Sequence, residues 1–440
     1  MPRTALPFVA ALLLAASAGP ALALDVAAEK AAVDAELNSD YPHLDALYKD
    51  IHAHPELGHH EVRTAALLAK EMRGLGFTVT EGVGGTGLVA LYKNGEGPTV
   101  LVRTELDALP MEEKTGLPYA SRVQADWNGK QTFVAHSCGH DIHMAVWVGT
   151  ARALLARKDH WHGTLMFIAQ PAEEVGDGAD GMIKDGLFTR FPKPDMGFAL
   201  HGGPAPDNEV SYKPGVLTSN ADSLMITFHG RGAHGAQPHL AIDPIVMAAR
   251  FVVDVQTVIS REKDPLEPGI VSIGSIQGGT VGNIIPDTVI VRGTVRTYDD
   301  RVRQRILAGI RRTAEAEATM EGAPPPTIQF LDPSEAVIND AALTARTAPV
   351  FKAAFGANAV ELTQPMTPSE DYSAFIIAGV PSLFFGIGVY DPAKVAAAAA
   401  GGPALPSNHS PYYAPVPEPT IRTGVEAMTL AVENVTAGAR

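Results

Sequence analysis

Residues 135–174 read AHSCGHDIHMAVWVGTARALLARKDHWHGTLMFIAQPAEE, and the order of parts in this stretch decides the fold. A polar turn rich in histidine leads into an apolar helix-length run, 144–158, followed by the strand-like run 163–174. Helical periodicity giving way to a short β-branched and aromatic run is the signature of an α/β unit, in which a helix returns the chain to a parallel sheet. Chemically dense residues flank the core-forming segments: Cys138, His140 and His143 before the helix, Glu173 and Glu174 after the strand. Cys138 is the only cysteine in the chain, so it has no internal disulfide partner. It is a metal ligand, a nucleophile or a bystander.

The same rhythm extends outward. Upstream, 43–77 reads as two helices broken at Pro55–Gly58, and strands are expected at 88–93 and 98–106. Downstream, "MGFALHG" (196–202) is a further strand. Near Gly215 the pattern changes to βαββαβ over about 217–332, a split-βαβ, ferredoxin-like unit. Helices and a strand at 380–388 then resume, and the chain closes on a helix at 417–437. The expected organisation is a leader over 1–23, a discontinuous catalytic domain over 24–215 and 334–440 with a mostly parallel sheet, and a satellite domain over 216–333. The Ala/Pro-rich stretch 391–406 reads as a low-complexity surface loop.

Arg3, the apolar run 5–19 and "ALA" at 21–23 resemble a cleaved signal peptide, which implies export to the periplasm or medium. The run is too short to span a bilayer, and no later stretch is expected to do so. The formal net charge of −15 argues against nucleic acid or an anionic membrane as partner.

"GVGGTG" (82–87) fits a dinucleotide fingerprint by letter, but a strand follows it where a helix is required, so it reads as a turn between strands. Cys138 and His140 straddle Gly139, a spacing that suits a transition metal or a buried thiol beside a capping acid. Glu173 and Glu174 are either two solvated loop acids or a divided pair, one holding a metal and the other taking the proton of an attacking water. His201 ends an apolar strand and His409 lies in "SNHSPYY"; alone, each is ambiguous. Together, Cys138, His140, Glu174, His201 and His409 would hold two divalent ions if one donor bridges. In the insert, His234 within "GRGAHGAQPH" is a polar loop residue or a group that steadies charge on a reacting carbonyl. Asn283 is a candidate donor to a substrate carboxylate, and Arg296 either meets that carboxylate or makes a surface ion pair.

Taken in order, "HAHPELGHHE", "TELDALPMEE", "HSCGHDIHMA", "QPAEE", "ALHGG", "GRGAHGAQPH", "GGTVGNIIPDTVIVRGTVRT", "SEDYS" and "NHSPYY" resemble the dinuclear-metal aminoacylase/carboxypeptidase family. The chain is most similar to the branch of hippurate hydrolases, N-acyl-amino-acid amidohydrolases and auxin-conjugate hydrolases. The resemblance implies a zinc-peptidase-like catalytic domain and a satellite domain of the kind that often mediates dimerisation, which leaves both a monomer and a homodimer through that domain open. It also implies two ions on Cys138, His140, Glu174, His201 and His409, with Glu173 as general base and His234 assisting at the carbonyl. Sulfur and imidazole favour zinc, while the carboxylates also admit manganese, cobalt or nickel. The implied reaction is hydrolysis of an N-acyl amino acid by a metal-activated water. A carboxypeptidase or dipeptidase on the same site is the alternative, and a periplasmic protein that binds a metal or conjugate without turnover is the alternative from another class. "MTPSEDYS" (366–373) departs from the family's glycine-rich version of this stretch, and Pro368 stiffens it.

Overall fold

The computed structural model describes residues 24–437, so the leader expected over 1–23 lies outside the described residues. Helix α1 (Val26–Ala53) starts where the Asp25 carboxylate accepts the Ala28 N–H, and buries Val33, Leu37, Leu44, Tyr48 and Ile51 along one face. It runs well upstream of the helix expected from His43, passing through Pro42. After α2 (Val62–Gly74) come β1 (Thr78–Glu81), β2 (Leu88–Asn94) and β3 (Thr99–Glu105), then α3 (His140–Ala156), β4 (Gly163–Gln170), β5 (Met196–Pro206) and β6 (Val210–Tyr212). The insert supplies β7 (Asn220–His229), α4 (Pro244–Asp254), β8 (Gly269–Gln277), β9 (Thr288–Thr297), α5 (Asp300–Met320) and β10 (Thr327–Ser334). The chain then returns through α6 (Ala341–Phe355), β11 (Ala359–Glu361), β12 (Ser382–Tyr390), α7 (Pro392–Ala399) and α8 (Pro417–Thr436).

The large sheet has the order β1-β2-β4-β3-β5-β12-β6-β11. Its central strands β4, β3, β5 and β12 are parallel neighbours, so their carboxyl ends share one edge. Side chains alternate between two apolar layers. Val100, Val102, Phe167 and Phe385 face the layer that holds α1, α3 and α8, whereas Leu101, Met166, Ile168 and Phe384 face the other. Helix α3 is buried on nearly every side, which is why its sequence is apolar without a polar face. The insert forms a separate antiparallel sheet, β8-β9-β7-β10, with its own core of Ile226, Phe228, Phe251, Val291 and Ile306. The strand–helix–strand–strand–helix–strand order agrees with the expectation.

Besides the start of α1, four details differ from the expectation. Strand β4 stops at Gln170, leaving Glu173 and Glu174 in the following turn. Strand β5 continues to Pro206, so His201 sits within it and does not close it. Helix α3 begins at His140, earlier than 144. The stretch read as loop at 391–406 contains α7, because Asp391 caps Ala393 and Lys394, Pro392 suits the first turn, and alanine is the strongest helix former. "GVGGTG" is the turn between antiparallel β1 and β2, as expected. No helix among the described residues is long and apolar enough to cross a membrane.

Candidate metal centre

The carboxyl edge of the parallel strands carries the site. Gly139, at φ 90°, bends the chain into α3 and turns Cys138 and His140 toward one point. The His140 Nδ1–H donates to the Asp107 carbonyl at 2.8 Å, which leaves the Nε2 lone pair facing inward. His201 is oriented in the same way, its Nδ1–H donating to the Gly202 carbonyl at 2.8 Å, and its Nε2 lies 3.3 Å from Cys138 Sγ. From the turn after β4, Glu174 Oε1 lies 3.3 Å from His409 Nε2 and 4.0 Å from His140 Nε2, while Glu173 Oε2 is 3.7 Å from His140 Nε2.

Donor atoms of these six residues fall within 4.8 Å of one another in three overlapping sets, Cys138/His140/His201, Cys138/Glu174/His409 and His140/Glu173/Glu174, adjoined by two more, Glu105/His140/His143 and Glu173/Glu370/Asp371. The sulfur belongs to two of them, the position a bridging donor would take. All six residues expected at the centre therefore come together from four separate loops or strands.

These side chains suit cations better than they suit each other. His140 Nε2 and Glu174 Oε1 are buried without a hydrogen-bond partner, a costly condition unless an ion completes them. Burial, then the Glu174 and Glu173 carboxylates, pushes the Cys138 thiol well above its ordinary value. Burial and then Glu370 and Glu174 do the same to Glu173. Burial opposes charge on His140, but the Asp107 hydrogen bond and the Glu105 carboxylate carry it up to about 10. Burial and the neighbouring acids thus hold Cys138 and Glu173 toward their protonated forms, whereas burial and then His143 push His201 well below its ordinary value. A divalent ion would stabilise thiolate, carboxylate and neutral imidazole together. A thiol held this firmly protonated is a poor nucleophile by itself.

Residues not singled out from the sequence hold the donors in place. Asn408 Nδ2 donates to the Cys138 and Gly202 carbonyls, each at 3.0 Å, and His409 N–H donates to the Ser137 carbonyl at 2.8 Å. His409 adopts φ 64° and Ala172 φ 51°, two non-glycine residues held in the left-handed region beside the site. His143 lies close enough to join a donor set, yet its Nε2 accepts the Gly202 N–H at 2.8 Å and its Nδ1–H faces Glu105 at 3.1 Å. Both ring nitrogens are thus occupied. Beneath Glu173, buried Arg103 pairs with Glu105, with Glu370 at 2.7 Å and with Asp371 at 3.3 Å.

The three expected residues of the insert stand apart from the cluster's contacts. His234 is exposed on a two-residue ribbon against Ile284–Ile285, and Gly235 N–H donates to the Asn283 carbonyl, so His234 and Asn283 share one local unit. Arg296, on β9, donates from Nη1 to Ser369 Oγ at 2.7 Å. It thereby touches the loop that carries Glu370 and Asp371, and among the described residues it makes no ion pair.

Sulfur, imidazole and carboxylate donors gathered at the carboxyl edge of an α/β sheet make the framework of a metal-dependent hydrolase. Residues 101–434 match the model of peptidase family M20/M25/M40, and the chain belongs to that family: it is an enzyme, a hydrolase of amide bonds. N-acetyl-L-cysteine deacetylase of Bacillus subtilis (strain 168) is 38% identical over 260 residues, which cover 59% of this chain and 60% of that enzyme. Thermostable carboxypeptidase 1 of Saccharolobus solfataricus is 34% identical over 342 residues, covering 77% of this chain and 84% of that one. The crystal structure of a dinuclear metal-binding M20 peptidase from Bacillus subtilis superimposes with a TM-score of 0.72 at 27% identity, covering 90% of this chain and 99% of that one.

Proposed function

We propose that the chain is an exported dinuclear amidohydrolase that cleaves N-acyl amino acids, with Cys138, His140, Glu174, His201 and His409 holding the ions. The observation that carries this reading is the convergence of those five donors with one further carboxylate, Glu173, left beside them. When bound, two divalent ions polarise the scissile carbonyl and lower the pKa of the attacking water. Glu173 accepts the proton of that water and returns it to the leaving amine, a task open to a carboxylate 3.7 Å from His140 Nε2 that is not itself assigned to an ion. Zinc is the favoured metal on the donor set, with manganese, cobalt or nickel as substitutes.

Further parts of the proposal concern the insert. Residues 216–333 act as a satellite domain to a catalytic domain over 24–215 and 334–440, and support a homodimer. His234 steadies the carbonyl oxygen and Asn283 binds the substrate carboxylate. Because they share one ribbon, the movement or second subunit that delivers one delivers the other. Arg296 acts on substrate only through or beside the Ser369 loop. The deacetylase relative supports an acyl-amino-acid substrate, and the carboxypeptidase relative supports peptides as the second reading.

The test is a metal analysis of purified protein with hydrolysis assays over N-acetyl and N-benzoyl amino acids and dipeptides. Glu173→Gln is expected to keep its metal and lose about 10²–10⁴-fold in kcat. Full activity in that variant removes Glu173 as the base, and turnover of dipeptides alone selects the peptidase reading.

A further inference from the structure

The turn Pro171–Glu174 must present two neighbouring carboxylates to one centre, although successive side chains on an extended chain point opposite ways. Ala172 resolves this by taking φ 51°, a conformation that L-residues rarely adopt. Something must hold it there. The Glu61 carboxylate, fully buried, accepts the Ala172 N–H at 2.7 Å through Oε1 and the Thr86 hydroxyl at 2.5 Å through Oε2. Among the described residues Glu61 makes no ion pair, so it is not retained as half of a salt bridge. On the far side of Glu173, the Glu174 N–H donates to Asp107 Oδ2 at 2.9 Å. Glu173 is therefore flanked by two backbone amides, each pinned by a buried carboxylate.

The surroundings are shaped for this clamp. Thr86 belongs to the glycine-rich turn "GVGGTG". A Cβ on its neighbour Gly87 would stand 2.8 Å from the Pro171 ring, so glycine lets that turn lie against the Glu173 turn. At Gly58, a Cβ would come within 2.7 Å of Val175 and 3.3 Å of Ala172 Cα. The segments 58–61 and 84–87 thus close over residues 171–175 from two directions.

We infer that Glu61, supported by Thr86, is a positioning residue that holds Ala172 in the left-handed conformation and thereby aims Glu173 and Glu174. This rests on the proposed roles of those two glutamates. Without the carboxylate, the Ala172 N–H is buried and unpaired, and the turn relaxes toward an ordinary φ. Glu61→Ala is expected to lower kcat and zinc affinity by about 10–100-fold, the scale of supporting residues around metal centres, with little change in KM. Glu61→Gln, which keeps an oxygen for the Ala172 N–H, recovers most of that loss.

Adding Ala172→Gly to Glu61→Ala restores activity in part, because glycine takes a positive φ without a Cβ penalty. Wild-type kcat and zinc affinity in Glu61→Ala, or a deeper loss when Ala172→Gly is added, would overturn the inference. If Glu61→Ala does not fold, Thr86→Val replaces it: a smaller fall in kcat and zinc affinity supports the clamp, and no change in either overturns it. Zinc affinity, read by competition with a chelator, and the Ala172 φ in a crystal structure of the variant do not depend on turnover. A wild-type protein inactive on acyl amino acids therefore counts against the proposed function, while these two readings still decide the clamp.

Discussion

Gly139 shows how much of the centre depends on one residue without a side chain. Its φ of 90° turns the chain between two candidate ligands, and a Cβ there would lie 3.3 Å from Tyr413 Cε1 and 3.4 Å from its hydroxyl. Gly401 offers a natural control: it has the same φ of 90°, with nothing within 4 Å of a built Cβ. Gly139→Ala is expected to cost about 1–3 kcal/mol by urea unfolding and to weaken zinc binding. Gly401→Ala should cost only the backbone strain, about 1 kcal/mol, and leave zinc affinity unaltered. Equal effects at the two positions would show that the Tyr413 contact is irrelevant. The bend at Gly139 was legible in the sequence because glycine between a cysteine and a histidine has few other uses. The positive φ at Ala172 and His409 was not, since nothing in an alanine or a histidine announces it. Asp107 and Asn408 were missed for a related reason: they work by hydrogen bonds to backbone groups distant in sequence.

Between elements, a buried charge cluster joins the end of α1 to the start of α3. His52 Nδ1 lies 2.5 Å from Asp141 and its Nε2 3.2 Å from Glu113, all three buried. Burial opposes the His52 charge, but the hydrogen bonds to Asp141 and Glu113 outweigh it and raise the pKa from 6.5 to about 10. Both acids are held below their ordinary values, consistent with a charged imidazole between them. Because the folded-state pKa exceeds the unfolded one, this stabilisation is complete below pH 6.5 and is lost as pH rises through about 10. The acids behave oppositely, and their contribution disappears as pH falls through their lowered values. Thermal unfolding across pH 7–10 should show a decline worth a few kcal/mol in the native protein. His52→Gln, less stable at pH 7, should show a flatter profile; parallel slopes in the two proteins would refute the assignment. Helix α1 itself was only half legible: a helix is expected from His43 onward, while the observed one passes through Pro42 from Val26. Helix α7 was hidden by composition: a run of alanines reads as low complexity although alanine is the best helix former.

At the scale of the whole molecule, alternation of strands and helices announced a largely parallel sheet, and the change of rhythm announced the antiparallel insert. Strand order was not legible, because it depends on which edges pair across long separations, as where β4 slips between β2 and β3. The contact of Arg296 with Ser369 is likewise invisible from spacing. Global charge bears on the metal question. With a net charge of −15 the protein attracts any divalent cation, and screening alone would raise its stability. Sulfur and imidazole donors discriminate, whereas diffuse acidity does not: calcium takes oxygen ligands, and thiolate favours zinc. Treatment with a strong chelator is therefore expected to lower Tm, and zinc to restore it. An ion at a hundredfold its Kd stabilises the folded state by about 2.7 kcal/mol per site. Calcium at the same concentration should recover little of the loss, and Cys138→Ser should blunt the zinc response. Equal recovery with calcium would mean that the cluster of Cys138, His140, Glu174, His201 and His409 collects charge without binding a metal specifically.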